Sequence, residues 1–345
     1  MKQLTVKVED AVGKVLSHDI TKIVKGEFKG APYRKGHVIR EEDIPELLKL
    51  GKENIYILEF EENDVHEDDA ALRIAAAVKS NDSIYWTGPK ESRINFFAAY
   101  DGLLKVNIPA LEAINDVPDV VLSTLTQNIP VSKDEMIAGT KVIPLVVPES
   151  TVLNVEKICR QEGWIIKVVP FRKQQVGVVI TGSEVFKQRI KDEFKPIITK
   201  KMEAFGSSVL AVEYAPDDVD IISGKIRAMV DNGADMVIVT GGMSVDPDDV
   251  TPKAIQHSGA KVEKYGAAAF PGAMFMLAYH GNVPVIGIPA CGMFFKITVV
   301  DIILPRLLAG ERVTRKDIVA LAHGGLCRGC KECRYPNCTF GKSSF

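Results

Sequence analysis

What this chain lacks narrows its class. No uncharged apolar run approaches the ~20 residues needed to cross a bilayer, so no membrane partner is expected. The segment Met1 to Asp10 carries charge where a signal peptide needs an apolar core, and a cytoplasmic protein is expected. An excess of one charge is also missing. Lys plus Arg number 43 against 45 Asp plus Glu, a net charge of −2, which argues against a broad nucleic-acid surface. Cysteine is scarce: six in 345 residues, four of them within the last 20. Structural disulfides are not expected in a cytoplasmic chain, so that cluster has another cause. What remains is an ordinary globular composition, 46% hydrophobic and 26% charged, long enough for about two or three domains.

Taken in order, residues 1–65 read as a small mixed α+β module. Leu4 to Val8 alternates as a strand, Glu41 to Gly51 reads as a short helix with acids in its first turn, and Asn54 to Leu58 as a strand. The acidic run Glu59 to Asp69 is either a solvated linker or helix start, or a metal site built from His66, Glu67 and Asp68. Residues 66–172 form a middle α/β segment, with helices expected near Ala70–Val78 and Val152–Cys159. Val142 to Pro148 is expected as one strand bounded by prolines, and Ile165 to Val169 as another. Residues 173–312 alternate strand and helix, with strands at Val176–Ile180, Val209–Tyr214, Val237–Thr240 and Val283–Pro289. Helices are expected near Ile190–Phe205, Asp220–Val230 and Phe294–Leu308. Alternation of this kind predicts an α/β domain, a parallel sheet covered on both faces.

Two strand ends in that domain stand out. Thr181-Gly182-Ser183-Glu184 and Thr240-Gly241-Gly242-Met243-Ser244 both place Thr-Gly after an apolar strand. In a parallel sheet both ends face one edge, where ligands of open α/β sheets lie. Glycine lets the backbone approach a ligand, and backbone N–H groups, hydroxyls and helix N-termini suit an anionic group. Phe270-Pro271-Gly272-Ala273 and Ile288-Pro289-Ala290-Cys291-Gly292 offer further walls. Asp249 and Glu184 are candidate Mg²⁺ ligands, since Mg²⁺ is commonly shared between carboxylates and a substrate phosphate. Asp246 and Asp248 read as solvated or as caps for a helix opening near Thr251-Pro252. No Ser/His/Asp arrangement is present, so chemistry here is metal-assisted positioning. Plain turns between strands and helices are the alternative reading.

At these residues the segment resembles the molybdopterin-binding domain of the molybdenum-cofactor biosynthesis family. That domain is shared by molybdopterin adenylyltransferases, molybdopterin molybdenumtransferases and competence/damage-inducible proteins. Thr181-Gly182-Ser183-Glu184 answers the family's Thr-Gly-Asp/Ser-Glu loop, and Gly241, Gly242, Ser244 and Asp249 answer Gly-Gly-x-Ser-x-Gly-x-x-Asp. Met243-Ser244-Val245, Asp231-Asn232-Gly233-Ala234-Asp235 and Val15-Leu16-Ser17-His18-Asp19-Ile20 look most like the molybdenumtransferase. The resemblance implies a three-layer domain over about 175–310 that binds molybdopterin, a pterin phosphate, or its adenylate. Thr181, Gly182, Ser183, Gly241, Gly242, Ser244, Pro271 and Gly272 would hold the ligand. Asp249, with Glu184, would place Mg²⁺ or molybdate for molybdate insertion with release of AMP. It also implies a homodimer. A carrier or sensor without catalysis is the alternative. The chain departs from the pattern at Asp246 (Gly in the family), at Ala273-Met274 (Lys-Pro) and at Ala290-Cys291-Gly292 (Gly-Asn-Pro). The transferase's C-terminal β-barrel has no counterpart in the 35 residues after Gly310.

Residues 313–345 instead form a Cys-rich tail. Cys327, Cys330, Cys333 and Cys338 follow C-x2-C-x2-C-x4-C, a spacing suited to one metal centre, either Zn²⁺ on four thiolates or an iron–sulfur cluster. Arg328, Lys331, Arg334 and Lys342 make the tail basic, too few cations to favour nucleic acid.

Overall fold

The computed structural model describes residues 2–24, 28–59 and 63–342. The chain divides into two compact units: Met1–Tyr100 with Lys105–Leu125 and Lys133–Val168, and Asp101–Leu104 with Thr126–Ser132 and Val169–Phe345. The four segments suggested by the sequence are thus gathered into two bodies, with the Cys-rich tail inside the second. Among the described residues no helix is long and apolar enough to cross a membrane.

In the first unit, the strand Lys2–Lys7 pairs antiparallel with Asn54–Glu59. A small core of Val8, Leu16, Ile20, Ile39, Leu47 and Ile55 lies in this module. The helix Ile44–Lys49 is followed by Gly51 at φ +72°, a left-handed stop that glycine adopts without a Cβ penalty. Farther on, Ile84–Lys90, Arg93–Ala98, Met136–Val142 and Val120–Thr124 form an antiparallel sheet in that order. The single strand expected over Val142–Pro148 is two. Met136–Val142 ends where Val146–Pro148 begins a separate pairing with Asp64–His66, and Pro144, without an N–H to donate, lies between them.

Part of the acidic run (Phe60 to Glu62) lies outside the described residues. The rest holds the strand Asp64–His66 and the start of a helix. His66 is buried, and its Nδ1 accepts the Asp68 N–H at 3.0 Å to start the helix Glu67–Val78. The Lys35 ammonium contacts both His66 and Asp68, so a cation from the chain stands where a metal would. Burial, then Lys35, lowers the His66 pKa and keeps the ring a neutral acceptor.

In the second unit six strands carry the architecture: β1 Gln175–Thr181, β2 Ser208–Ala215, β3 Met236–Thr240, β4 Lys261–Tyr265, β5 Met276–His280 and β6 Val283–Ile288. Their order is β2-β1-β3-β6-β5-β4. The first four strands in that order are parallel, as expected, while β5 and β4 complete the sheet through antiparallel pairings. Alternation decides which helices cover which face. Val176, Val178, Ile180 and Ile238 pack with α1 (Phe194–Glu203) and α4 (Val299–Leu308). Val179, Val237 and Val239 pack with α2 (Val219–Asp231) and α3 (Thr251–His257). Each fully buried Val or Ile contributes about 1.5–3 kcal/mol, which is why these strands read as continuous apolar runs. The closing helix is shorter than Phe294–Leu308. One turn, Cys291–Phe294, breaks off before Thr298 caps α4 by accepting the Val300 N–H.

Candidate functional site

Parallel pairing places the two Thr-Gly loops side by side. Ile180 on β1 stands opposite Thr240 on β3, and Thr240 opposite Ile288 on β6, so all three strands stop at one edge. The Thr181 hydroxyl donates to the Thr240 carbonyl at 2.8 Å and lies 3.1 Å from the Thr251 hydroxyl at the start of α3. Gly241 and Gly242 have φ of +83° and +52°. A Cβ on Gly241 would lie 2.5 Å from the Thr181 carbonyl oxygen, and one on Gly242 would lie 2.8 Å from Thr251 Oγ1. Glycine is therefore required by both backbone angle and space. The Thr240 hydroxyl is buried without a hydrogen-bond partner among the described residues. An unpaired buried polar group costs about 1–3 kcal/mol.

Ser183 is held from a third strand end. Its N–H donates to Asp217 Oδ2 at 2.8 Å, from the loop after β2. Sequence reading missed Asp217, because only the sheet order brings β2 beside β1. The Glu184 side chain is exposed, its carboxylate lying where a Cβ on Gly182 would point. Asp249 and Asp246 close a tight turn: the Asp249 N–H donates to the Asp246 carbonyl at 2.9 Å, and the Asp246 N–H donates to Asp249 Oδ2 at 3.0 Å. Asp246 is not among the residues at positive φ, so its replacement of the family glycine stores no strain. Tyr265 was also missed. Its hydroxyl donates to the Met243 carbonyl at 2.7 Å and steadies the loop from β4. Burial, followed by the Asp249 carboxylate, raises the phenol pKa.

Beside these strand ends opens a cavity of about 560 Å³, within the usual size of ligand sites. Ser244, Pro271 and Gly272 line it, together with Phe270, Met274, Cys291, Phe295 and Cys327. Thr181, Gly182, Ser183, Gly241, Gly242 and Asp249 border the same sheet edge but do not line this cavity. Its lining includes no Lys, Arg, Asp or Glu. Burial raises the Cys291 thiol pKa, leaving it protonated at neutral pH. Gly272 is packed so closely against α4 that a Cβ would lie 2.5 Å from Val299 Cγ1.

The tail cysteines are all free thiols. Cys330 and Cys333 are exposed, and Cys327 and Cys338 are half-buried. Among the described residues no three His, Cys, Asp or Glu side chains are gathered to hold a metal.

These features define a three-layer α/β domain with glycine-built loops meeting at the carboxyl edge of its parallel strands. Residues 177–309 match a family described as "Probable molybdopterin binding domain", and the α/β domain of this chain belongs to the molybdopterin-binding domain family. Residues 5–59 match a domain of unknown function, DUF8806. A CinA-like protein of Fervidobacterium nodosum is 29% identical over 108 residues, which cover 31% of this chain and 26% of that protein. The chain thus spans about a quarter of that relative. Among solved structures, the molybdopterin biosynthesis enzyme MoaB from Thermus thermophilus is 18% identical with a TM-score of 0.33, covering 40% of this chain and 98% of that one. The molybdopterin biosynthesis Mog protein from Mycobacterium ulcerans is 17% identical with a TM-score of 0.32, covering 39% and 92%.

Proposed function

We propose that this chain binds molybdopterin or its adenylylated form and acts in molybdenum-cofactor assembly as a divergent molybdenumtransferase, inserting molybdate with release of AMP. The observation that carries the reading is the joined strand ends of β1 and β3, inside a domain of the molybdopterin-binding family. The cavity suits the organic part of such a ligand: Phe270, Phe295 and Met274 offer apolar walls, and Ser244 offers a hydroxyl. The phosphate would lie against the backbone of Thr181–Ser183 and Gly241–Gly242, with Asp217, Glu184 and Asp249 nearby.

A phosphate beside the carboxylates of Glu184, Asp217 and Asp249 would call for a cation. Bound Mg²⁺ would neutralise the phosphates and the charge left on AMP as the phosphoanhydride is cleaved. Asp249 is the carboxylate that would hold it, with Glu184 second. A homodimer is part of the proposal, since a partner would supply cations that this cavity does not contain.

The second reading, a pterin carrier without turnover, is favoured by one observation. A protonated Cys291 stands where the family has an amide-bearing loop, so the cavity offers fewer groups for positioning an oxyanion. Purified protein supplied with adenylylated molybdopterin, Mg²⁺ and molybdate separates the two. AMP release above background supports the transferase; tight pterin binding without AMP release overturns it and leaves the carrier. Failure to bind the pterin at all overturns both.

A further inference from the structure

We propose that Cys327, Cys330, Cys333 and Cys338 form one four-thiolate metal centre, and that this centre is a wall of the larger cavity. The first support is placement. All four cysteines border a single second cavity of about 370 Å³. The loop that carries them is tied at both ends. Phe270 N–H donates to the Gly325 carbonyl and Cys327 N–H to the Phe270 carbonyl, each at 2.8 Å, and Gly341 N–H donates to the Gly324 carbonyl at 2.9 Å. Buried Phe340 and the Tyr335 hydroxyl, which donates to the Asp301 carbonyl at 3.3 Å, hold the far side to the core. Between these ties the segment contains no helix or strand, and four sulfurs on one centre would cross-link it.

The second support is charge. Four thiolates on Zn²⁺ leave a net charge of about −2, and the same cavity is lined by Lys296, Arg328, Lys331 and Arg334. On loading, each thiol releases its proton to solvent as its sulfur–metal bond forms, with no change in sulfur oxidation state. The sulfurs must come within roughly 3.8 Å of one another for tetrahedral zinc, so loading draws the loop inward across the cavity. Cys327 borders both cavities, and its backbone holds Phe270, next to Pro271-Gly272. The metal centre is therefore built into the pocket wall. It stands independently of what the larger cavity binds.

The test is metal and sulfide analysis of the full chain purified without oxygen, beside the C330S/C333S double variant and C159A, whose thiol lies in the other unit. Both serine positions are exposed, and circular dichroism and thermal melting check that the variant folds. About one zinc per chain without a visible band identifies a zinc site; about two to four irons with matching sulfide and a thiolate-to-iron absorption band identify a cluster. Either result, lost at least tenfold in C330S/C333S and retained in C159A, supports the centre. Fewer than about 0.1 zinc or iron per wild-type chain after anaerobic reconstitution overturns it, since four thiolates that close on one metal bind it tightly under those conditions. So does full metal content in a folded C330S/C333S variant.

Discussion

Gly241→Ala probes the junction of the two strand ends directly. The residue has φ +83°, and its Cβ would lie 2.5 Å from the Thr181 carbonyl oxygen and 2.8 Å from the Thr181 hydroxyl. Left-handed backbone at a residue with a Cβ costs about 1–2 kcal/mol. Forcing a methyl against a fixed backbone adds about 1–3 kcal/mol, for a total of about 2–5 kcal/mol against a domain stability of about 5–15 kcal/mol. Gly233 supplies the control. Its φ is +84°, yet nothing lies within 4 Å of its Cβ position, so Gly233→Ala should lose only the backbone term, about 1–2 kcal/mol. Urea unfolding of the two variants, followed by circular dichroism, gives the difference. Pterin affinity should fall at least tenfold in Gly241→Ala, as the Thr181 and Gly241 loops move apart, and stay unchanged in Gly233→Ala. Equal destabilisation of the two variants would refute the close-approach argument. A normal pterin affinity in Gly241→Ala would remove this junction from the ligand site.

Asp249→Asn should abolish AMP release while leaving the fold intact, because an amide oxygen can still accept the Asp246 N–H; unchanged turnover would remove Asp249 from the metal site. Asp317 predicts a pH dependence for the second unit. Burial raises its pKa, but hydrogen bonds from Thr314 and Arg306 outweigh burial and hold the carboxyl below the usual range. A carboxyl depressed in the folded state contributes stability that is fully present above its unfolded pKa of about 3.9 and is lost as pH falls through the folded value. Asp317→Asn should therefore destabilise by about 1–2 kcal/mol at pH 7, less than a fully buried charged pair because the side chain is 28% exposed. The gap from wild type should narrow in urea melts as pH falls from 5 to 3, and a constant gap over that range would contradict the linkage.

The elements legible in the sequence were those whose cause is local. β1 and β3 are β-branched apolar runs, and Thr-Gly at their ends marked the loops because only glycine tolerates the backbone that follows. The helices ending near Gly51 and Gly163 carried their own stop signals. β4 and β5 were missed for an equally physical reason. Lys261–Tyr265 mixes charges into a partly exposed edge, and Met276–His280 follows a Pro-Gly loop without a clean alternation. The break before α4 was hidden because Phe294 to Leu308 is largely apolar at helical length, and the Thr298 cap inside it was the overlooked signal.

For the site, the sequence by itself determined which loops stand out: glycines, hydroxyls and carboxylates after buried strands, together with a family pattern over residues 177–309. Tertiary structure alone decided how they meet. Strand order put Asp217 on the Ser183 N–H and Tyr265 on the Met243 carbonyl, contacts between segments that share no local pattern. It also moved the cysteine tail from an appendage to a wall, through the Phe270 and Cys327 hydrogen bonds. Local sequence sets backbone angle, periodicity and cap. Which polar groups satisfy one another across the fold is settled only when the strands have taken their order.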